Sequence, residues 1–242
     1  MSNPIKIISK EEFLKNNKKP QQEEVWDNIS DIWMEYKKKP FFTVEDFLKN
    51  KKGKVIDMGC GSGRNMIAST DLEYYGVDFS EKQLKPAEKI TKEKKINAKF
   101  FKSEADKLDK NIFKNEMFDY GLFIATLHCI EGEREREDAL KEFYRVLKKG
   151  GEALITIWNS TDERFKQVNY YGDIYMSWKK DGGEHMRYYY LYSKEEFIDL
   201  LKSVGFKILE INSNIDIKDS TRTTNSIKDR FSKKNWIVRV KK

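Results

Sequence analysis

The chain holds 242 residues, 38% of them apolar and 13% aromatic, which suffices for one domain with additions and excludes a mostly disordered or collagen-like chain. No run of about 18 apolar residues offers a membrane span, MSNPIKIISKEEF lacks a signal core of about 7–15 apolar residues, and Cys60 and Cys129 stand outside any CxxC pair, so a cytoplasmic chain with no zinc site of its own and no disulfide framework is expected. The 47 basic against 40 acidic residues leave +7, which suits an anionic partner such as nucleic acid, although lysines spread along the whole chain would give the same number.

Residues 1–23 read as a basic N-terminal extension in which Ser9 and Glu12 have capping-box spacing, and residues 24–242 as the main domain. Val25, Trp26, Ile29, Ile32, Trp33 and Tyr36 recur at three and four, which predicts an amphipathic helix over 24–36. Pro40 interrupts it, and 41–50 reads as a short helix with Val44, Phe47 and Leu48 inward. KVIDM (54–58) is a strand ended by a glycine-rich turn that leads into a short helical segment, and EYYGVD (73–78) is a second strand. Ser80 with Gln83 caps a helix to about Lys95, and NAKFFKS (97–103) and FDYGLFIA (118–125) are strands three and four. Ala139, Leu140, Phe143, Tyr144, Val146 and Leu147 predict a helix over 138–147, closed by the glycines of LKKGG, before a fifth strand, EALITIW (152–158).

The pattern is lost after Trp158, which marks an insertion at about 159–192. Ser193 with Glu196 then caps a helix carrying Phe197, Leu200, Leu201 and Val204. A sixth strand, FKILEI (206–211), a polar loop at about 212–234 that reads as mobile, and a last strand, NWIVRV (235–240), complete the chain. Strands alternating with helices predict an α/β, Rossmann-like fold, a seven-stranded mostly parallel sheet with helices on both faces.

The strongest motif is VIDMGCGSGRN (55–65). Gly59, Gly61 and Gly63 follow a strand, where glycine lets the backbone turn sharply and bring amides close to a ligand. The dinucleotide fingerprint needs a glycine where Arg64 stands, and a phosphate loop needs Lys and then Ser or Thr where Arg64 and Asn65 stand. Asp57 would repel a pyrophosphate but receive an ammonium group, and Asp78, ending the second strand, is placed to take two ribose hydroxyls. A cationic amino acid joined to a nucleoside without phosphates meets these demands, and S-adenosylmethionine is such a molecule. A tight turn of a flavodoxin-like fold would explain the glycines; the agreement of loop, strand and acids favours the cofactor.

These residues, with FDYGLFIATLHCI (118–130) and RVLKKGGEALIT (145–156), resemble the class I methyltransferase family from about Val55 to Trp158. The resemblance implies that Asp57, Gly59, Cys60, Gly61, Asp78, Phe79 and Ala125 border the cofactor and that Glu104 and Ala105 lie where such enzymes hold adenine.

A narrower resemblance spans most of the chain after residue 24. ATLHCIEGEREREDALKEFYRVLKKGGEALITIW (125–158) is similar to the tRNA wobble-uridine carboxymethyl methyltransferases, a family that includes the methyltransferase domain of the AlkB-homologue tRNA hydroxylase. The family's His after strand four, ERR-like run, Trp ending strand five, RYYH segment and C-terminal NW read here as His128, Arg134 to Arg136, Trp158, RYYYLY (187–192) and Asn235-Trp236. VWDNISDIWMEYKKKPF (25–41) is similar to its N-terminal helix and the exit from it. Two positions depart: the family's N-terminal Arg is Lys37, and the His of RYYH is Tyr190.

The resemblance implies esterification of the carboxymethyl group of a wobble uridine in a tRNA anticodon loop. A carboxylate is ionised at neutral pH, so the site needs alignment and cationic clamps more than a base. Arg136 and Arg187 are the candidate clamps, His128 a candidate hydrogen-bond partner of substrate or phosphate, Trp158 a pocket wall and Lys37 a further contact. Against these stand a helix charge paired with Glu133, a structural histidine, a core tryptophan and a surface lysine. The nine aromatics of 165–192 either stack a splayed nucleotide or form a small core of their own. The family also implies a small zinc-binding activator subunit paired along the sheet edge, which NAKFFKS would form with Phe100 and Phe101. A small-molecule O- or N-methyltransferase of the same fold is the alternative, and a non-catalytic scaffold a third reading.

Overall fold

Side chains on a strand point alternately to opposite faces, so a sheet buried on both sides needs apolar residues at consecutive positions. The computed structural model describes residues 5–36, 39–169, 171–180, 182–212 and 234–242 and shows where those faces go. Its elements are β1 (Ile7–Ser9), α1 (Lys10–Leu14), α2 (Gln22–Tyr36), α3 (Phe42–Leu48), β2 (Gly53–Met58), β3 (Leu72–Asp78), α4 (Glu81–Glu93), β4 (Ala98–Lys102), β5 (Phe118–Ile124), α5 (Glu133–Val146), β6 (Leu147–Trp158), β7 (Gly172–Lys180), β8 (Gly183–Leu191), α6 (Lys194–Val204), β9 (Lys207–Asn212) and β10 (Asn235–Lys241). Seven strands form one sheet in the order β4-β3-β2-β5-β6-β10-β9, with β4, β3, β2, β5 and β6 parallel to one another and β10 antiparallel to both β6 and β9.

Consecutive residues go to opposite cores. Val55, Tyr74, Leu122 and Leu154 pack with Val44 and Phe47 of α3 and Leu84 of α4. Ile56, Val77, Phe123 and Ile155 pack with Ala139 and Phe143 of α5 and Phe197 and Leu201 of α6. Gly121 makes room for Phe143, since a Cβ there would lie 2.5 Å from the Phe143 ring. Full burial of such a ring stabilises by about 3 kcal/mol. Two helices start as the sequence predicts: the Ser80 hydroxyl accepts from the Gln83 amide at 3.2 Å, and Ser193 with Glu196 forms a complete capping box.

Several expectations are corrected. No helix lies between the glycine-rich turn and β3; 59–71 is a series of turns and irregular backbone with Met66 buried beneath it. Gly150 and Gly151 do not cap α5. The helix ends at Val146, Leu147 is already extended and paired with Phe118, and the register jumps to Tyr120–Glu152 across the glycine pair. Gly150 instead donates to the Lys242 carbonyl at 2.8 Å, so pairing with β5 and the C-terminal strand outcompetes a left-handed cap. The start of α5 lies at Glu133, ahead of its apolar stripe.

The insertion is a hairpin, β7–β8, joined by β1 into a three-stranded antiparallel sheet. β1 and α1 thus come from the stretch read as a polar extension. Ile174, Met176, Tyr189 and Leu191 pack with Phe165 on one face of this sheet; Tyr175, Met186 and Tyr188 pack with Phe13 on the other. Most of the insertion's aromatics therefore form a small core, with Tyr171 exposed and Tyr170 outside the described residues. Residues 213–233 of the predicted loop, and Lys37, also lie outside the described residues. No helix among the described residues is long and apolar enough to cross a membrane.

Candidate functional site

In open α/β sheets a crevice forms beyond the strand carboxyl ends where the strand order reverses. Here β2 has β3 on one side and β5 on the other, and the segments leaving these strands wall a cavity of about 320 Å³. The chain ahead of α2 and its first turns complete the wall with Lys19, Pro20, Gln21, Gln22 and Trp26. α2 is tied to both sides of the site. The Ser80 hydroxyl donates to Asp27 at 2.5 Å, and the Gln22 side chain accepts from the Tyr188 amide at 2.9 Å and donates to the Met186 carbonyl at 3.2 Å.

The glycine loop turns inward on itself. Gly59, Gly61 and Gly63 have φ of +69°, +53° and +70°, a region that strains other residues. The Gly59 and Cys60 amides both donate to the Val77 carbonyl, at 2.7 and 3.0 Å, and the Gly61 amide donates to Asp78 Oδ2 at 2.8 Å. The expectation that these amides face a ligand is corrected: those of Gly59, Cys60 and Gly61 are consumed within the protein. A Cβ at Gly59 would overlap the Thr126 side chain, whereas one at Gly61 would meet nothing nearer than Gln83 Oε1 at 3.8 Å. Gly61 therefore opens the wall at the point where Asp78 stands.

Asp78 lines the cavity with Oδ2 on Gly61 and Oδ1 accepting from the Ser80 amide at 2.9 Å. Burial pushes its pKa up to about 6; the Ser80 and Gly61 amides oppose that rise and the Asp27 charge adds to it. Asp57 is 1% exposed and neither carboxylate oxygen has a hydrogen-bond partner. Burial, with the Asp78 charge adding to it, lifts Asp57 to about 7. Gln83 Oε1, also in the wall, is a second buried acceptor without a partner. Two orphaned acceptors and an anchored carboxylate around a small cavity fit a cationic, hydroxyl-bearing ligand such as S-adenosylmethionine.

Cys60, Phe79, Glu104, Ala105 and Ala125 all line this cavity with Gly59, Gly61 and Asp78; Asp57 lies off its wall. Glu104 is half-exposed and pairs with Lys107 at 2.5 Å. Sequence reasoning missed the Gln83 side chain, Glu131, the chain before α2, and Arg64, although Arg64 directly follows the glycines. Arg64 Nε donates to the Lys39 carbonyl at 2.5 Å, its guanidinium lies 3.8 Å over the Phe41 ring, and burial lowers its pKa to about 10.

Of the residues expected to meet substrate, His128, Trp158, Arg136 and Arg187 lie together at the hairpin, off the cavity wall, so Trp158 is not the pocket wall that was expected. His128 is buried, with its ring centroid 5.0 Å from that of Trp158 and 5.7 Å from that of Tyr189. Trp158 stacks on Tyr189 at 4.0 Å and on Phe165 at 5.6 Å. Arg187 is buried with its guanidinium 4.8 Å over Trp178 and 5.4 Å over Tyr189. Arg136 is buried too, and no ion pair with Glu133 forms. Its Nη1 donates to the Tyr188 hydroxyl at 2.8 Å and the Ile130 carbonyl at 3.2 Å, and its guanidinium lies 3.9 Å over the Tyr190 ring.

Arg136 thus joins α5, the loop after β5 and the hairpin. Arg136→Ala leaves a buried hydroxyl and a part-buried carbonyl without their donor and removes the guanidinium from the Tyr190 ring, at a cost on the order of 3 kcal/mol, so the melting temperature is expected to fall by roughly 6–12 °C in calorimetry. Among the described residues no group of three or more His, Cys, Asp or Glu is arranged to hold a metal ion.

Comparison with known proteins gives the site a context. A family model described as a methyltransferase domain matches residues 49–203. The tRNA (carboxymethyluridine(34)-5-O)-methyltransferase of Schizosaccharomyces pombe is 28% identical over 212 residues, covering 77% of this chain and 89% of that protein. A Methanosarcina mazei SAM-dependent methyltransferase structure has a TM-score of 0.65 at 20% identity, covering 84% of this chain and 98% of that one. A Haloferax volcanii methyltransferase in complex with the Trm112 methyltransferase activator has a TM-score of 0.61 at 14% identity, covering 93% and 99%.

Proposed function

Because this chain belongs to the class I S-adenosylmethionine-dependent methyltransferase family, we propose that it methylates tRNA, forming an ester on the carboxylate of 5-carboxymethyluridine at the wobble position, in the cytoplasm. The observation that carries this reading is the match to the S. pombe enzyme, which extends over 77% of the chain, well past the parts that any member of the fold needs to hold its cofactor.

When bound, S-adenosylmethionine supplies a methyl carbon activated by its sulfonium. The chain's own residues hold and align. Asp78 would take the ribose hydroxyls, Gly61 would let the sugar come close to the backbone, and Gln83 would offer a further acceptor. Phe79, Glu104 and Ala105 would hold the adenine, Gly59, Cys60 and Ala125 would border the rest of the cofactor, and Asp57, buried behind the wall, would answer its positive charge. The acceptor carboxylate is already ionised, so the residues around it act by alignment rather than by removing a proton.

Trp158 and His128, packed on each other and on Tyr189 behind the cavity wall, and Arg187 over Tyr189 would support the acceptor side from beneath rather than line it. Lys37, which lies outside the described residues, is kept as a further acceptor contact on the sequence resemblance alone. Arg136 acts through the hairpin, by fixing Tyr188 and Tyr190 in place. Of the candidate clamps it is therefore a positioning residue.

We place a small zinc-binding activator along β4. This strand is an edge of the seven-stranded sheet, pairs only with β3 among the described residues, and carries Phe100 and Phe101 half-buried against the two cores. The fold match to a methyltransferase in complex with an activator supports this partner.

Mass spectrometry of nucleosides from tRNA incubated with the protein and labelled cofactor, with and without a candidate activator, tests the reading. The expected product is a labelled methyl ester of 5-carboxymethyluridine that mild alkali removes. Label confined to a free metabolite would instead favour the small-molecule O- or N-methyltransferase.

A further inference from the structure

Glu131 sits in the loop between β5 and α5, in the wall of the cavity, with its side chain only 9% exposed. One oxygen, Oε1, meets three donors: the Lys10 ammonium at 2.7 Å, the Lys19 ammonium at 3.3 Å and the Tyr175 hydroxyl at 3.2 Å. These donors come from α1, from the chain just before α2, and from β7, so three separate parts of the protein converge on one oxyanion position. Two cations meet one anion there, and the group keeps an excess positive charge. Lys10 is further held 5.3 Å over the Tyr188 ring, itself the partner of Arg136. Two ammonium groups and a phenol around a single oxygen are the donor set that binds a carboxylate or a phosphate.

We propose that Lys10, Lys19 and Tyr175 form an anion subsite beside the cofactor cavity for an anionic oxygen of the acceptor, and that Glu131 occupies it until the acceptor arrives. The inference rests on the RNA reading above only for the source of the anion, which is either a backbone phosphate or the wobble carboxylate. Glu131 then works as a stand-in: it keeps the two lysines ordered and must yield the position for the acceptor to take it, so its charge competes with the acceptor's.

Two measurements test this. In the first, the melting temperatures of the wild type, of Glu131→Gln, and of Glu131→Gln combined with Lys10→Ala and Lys19→Ala are recorded with inorganic phosphate, with acetate and with neither. Glu131→Gln is expected to gain roughly 3–6 °C at ten times the anion's dissociation constant. The wild type is expected to gain less, and the triple variant no more than the wild type. A Glu131→Gln protein that melts lower and responds to neither anion overturns the subsite and leaves a plain clasp for the N-terminal segment.

In the second, KM and binding are measured for tRNA with and without the carboxymethyl group. Lys10→Ala with Lys19→Ala is expected to raise KM about tenfold and to lower the salt slope by about one to two, while Glu131→Gln lowers KM. A loss of binding equal on both tRNAs assigns the subsite to phosphate; a loss confined to the carboxymethylated tRNA assigns it to the reacting carboxylate. An anion response in the first measurement with no effect on tRNA in the second upholds the subsite and overturns the RNA reading instead.

Discussion

Asp78→Ala is expected to abolish cofactor binding, with no heat measurable by titration calorimetry with either S-adenosylmethionine or S-adenosylhomocysteine. The side chain does two things at once. It lines the cavity as the acid for the ribose hydroxyls, and it holds the glycine loop by accepting from the Gly61 and Ser80 amides at 2.8 and 2.9 Å. Hydrogen bonds to a charged group contribute about 1.5–3 kcal/mol each, so losing two costs on the order of 100-fold to 10,000-fold in affinity. Loss of the acceptor also orphans the Gly61 and Ser80 amides, which leaves the loop fastened to β3 by the Gly59 and Cys60 amides on the Val77 carbonyl. Asp78→Asn separates the two roles. Its amide oxygen keeps one backbone bond and the shape of the turn, so it should lose the charge-assisted part and keep the loop, with an intermediate loss of affinity. Both variants should keep a cooperative thermal transition, because Asp78 belongs to neither of the two apolar cores. Cofactor binding by Asp78→Ala within threefold of wild type would remove this residue from the site.

The sequence made legible what is local. KVIDM is apolar at consecutive positions because Val55 and Ile56 enter different cores, and that pattern marks a strand buried on both faces. Ser80 and Ser193 announce their helices because a hydroxyl three residues ahead of an amide caps it whatever the rest of the fold does. The loop glycines stood out because three glycines between a strand and an acid mark a sharp turn, and all three do adopt positive φ.

What was hidden depends on distant partners. GEHMRYYYL does not alternate, since Arg187, Tyr188 and Tyr189 are all buried, and nothing in it shows that the three residues Ile7–Ser9 complete its sheet. Arg136 read as a substrate clamp or as a helix charge paired with Glu133 because its partner Tyr188 lies 52 positions away. The same is true of Glu131, whose ligands are far away in sequence. The direction of the loop amides was misread for a related reason: the Val77 carbonyl that takes two of them belongs to the next strand.

Cofactor affinity should rise with pH between about 5 and 7 and then level off, and Asp57 should carry most of that rise. Its folded pKa of about 7, against 3.8 for the free side chain, means that the ligand-free protein holds a proton on Asp57 that the unfolded chain has already lost. A group raised in this way contributes stability that is complete below about pH 4 and is lost as pH rises through about 7. By pH 8 the wild type carries a buried carboxylate with no partner, close to the Asp78 charge. Removing it is worth on the order of 2–4 kcal/mol, so ligand-free Asp57→Asn should melt higher than wild type at pH 8 and close to it at pH 4.

With a cation bound nearby the order reverses. The positive charge favours the ionised forms of Asp57 and Asp78, and the low-dielectric surroundings let it act without direct contact. Binding at about pH 6.5 should therefore expel close to one proton, seen as a dependence of the binding heat on the ionisation enthalpy of the buffer. S-adenosylhomocysteine keeps the ammonium and lacks the sulfonium. Equal proton release with both ligands assigns the effect to the ammonium, and release with S-adenosylmethionine alone assigns it to the sulfonium. In Asp57→Asn the release should fall to the part owed to Asp78, and the affinity should stop rising nearer pH 6, where Asp78 titrates. A wild-type affinity that is flat from pH 5 to 8, with no proton expelled, would mean that Asp57 and the ligand's positive charge do not sense one another.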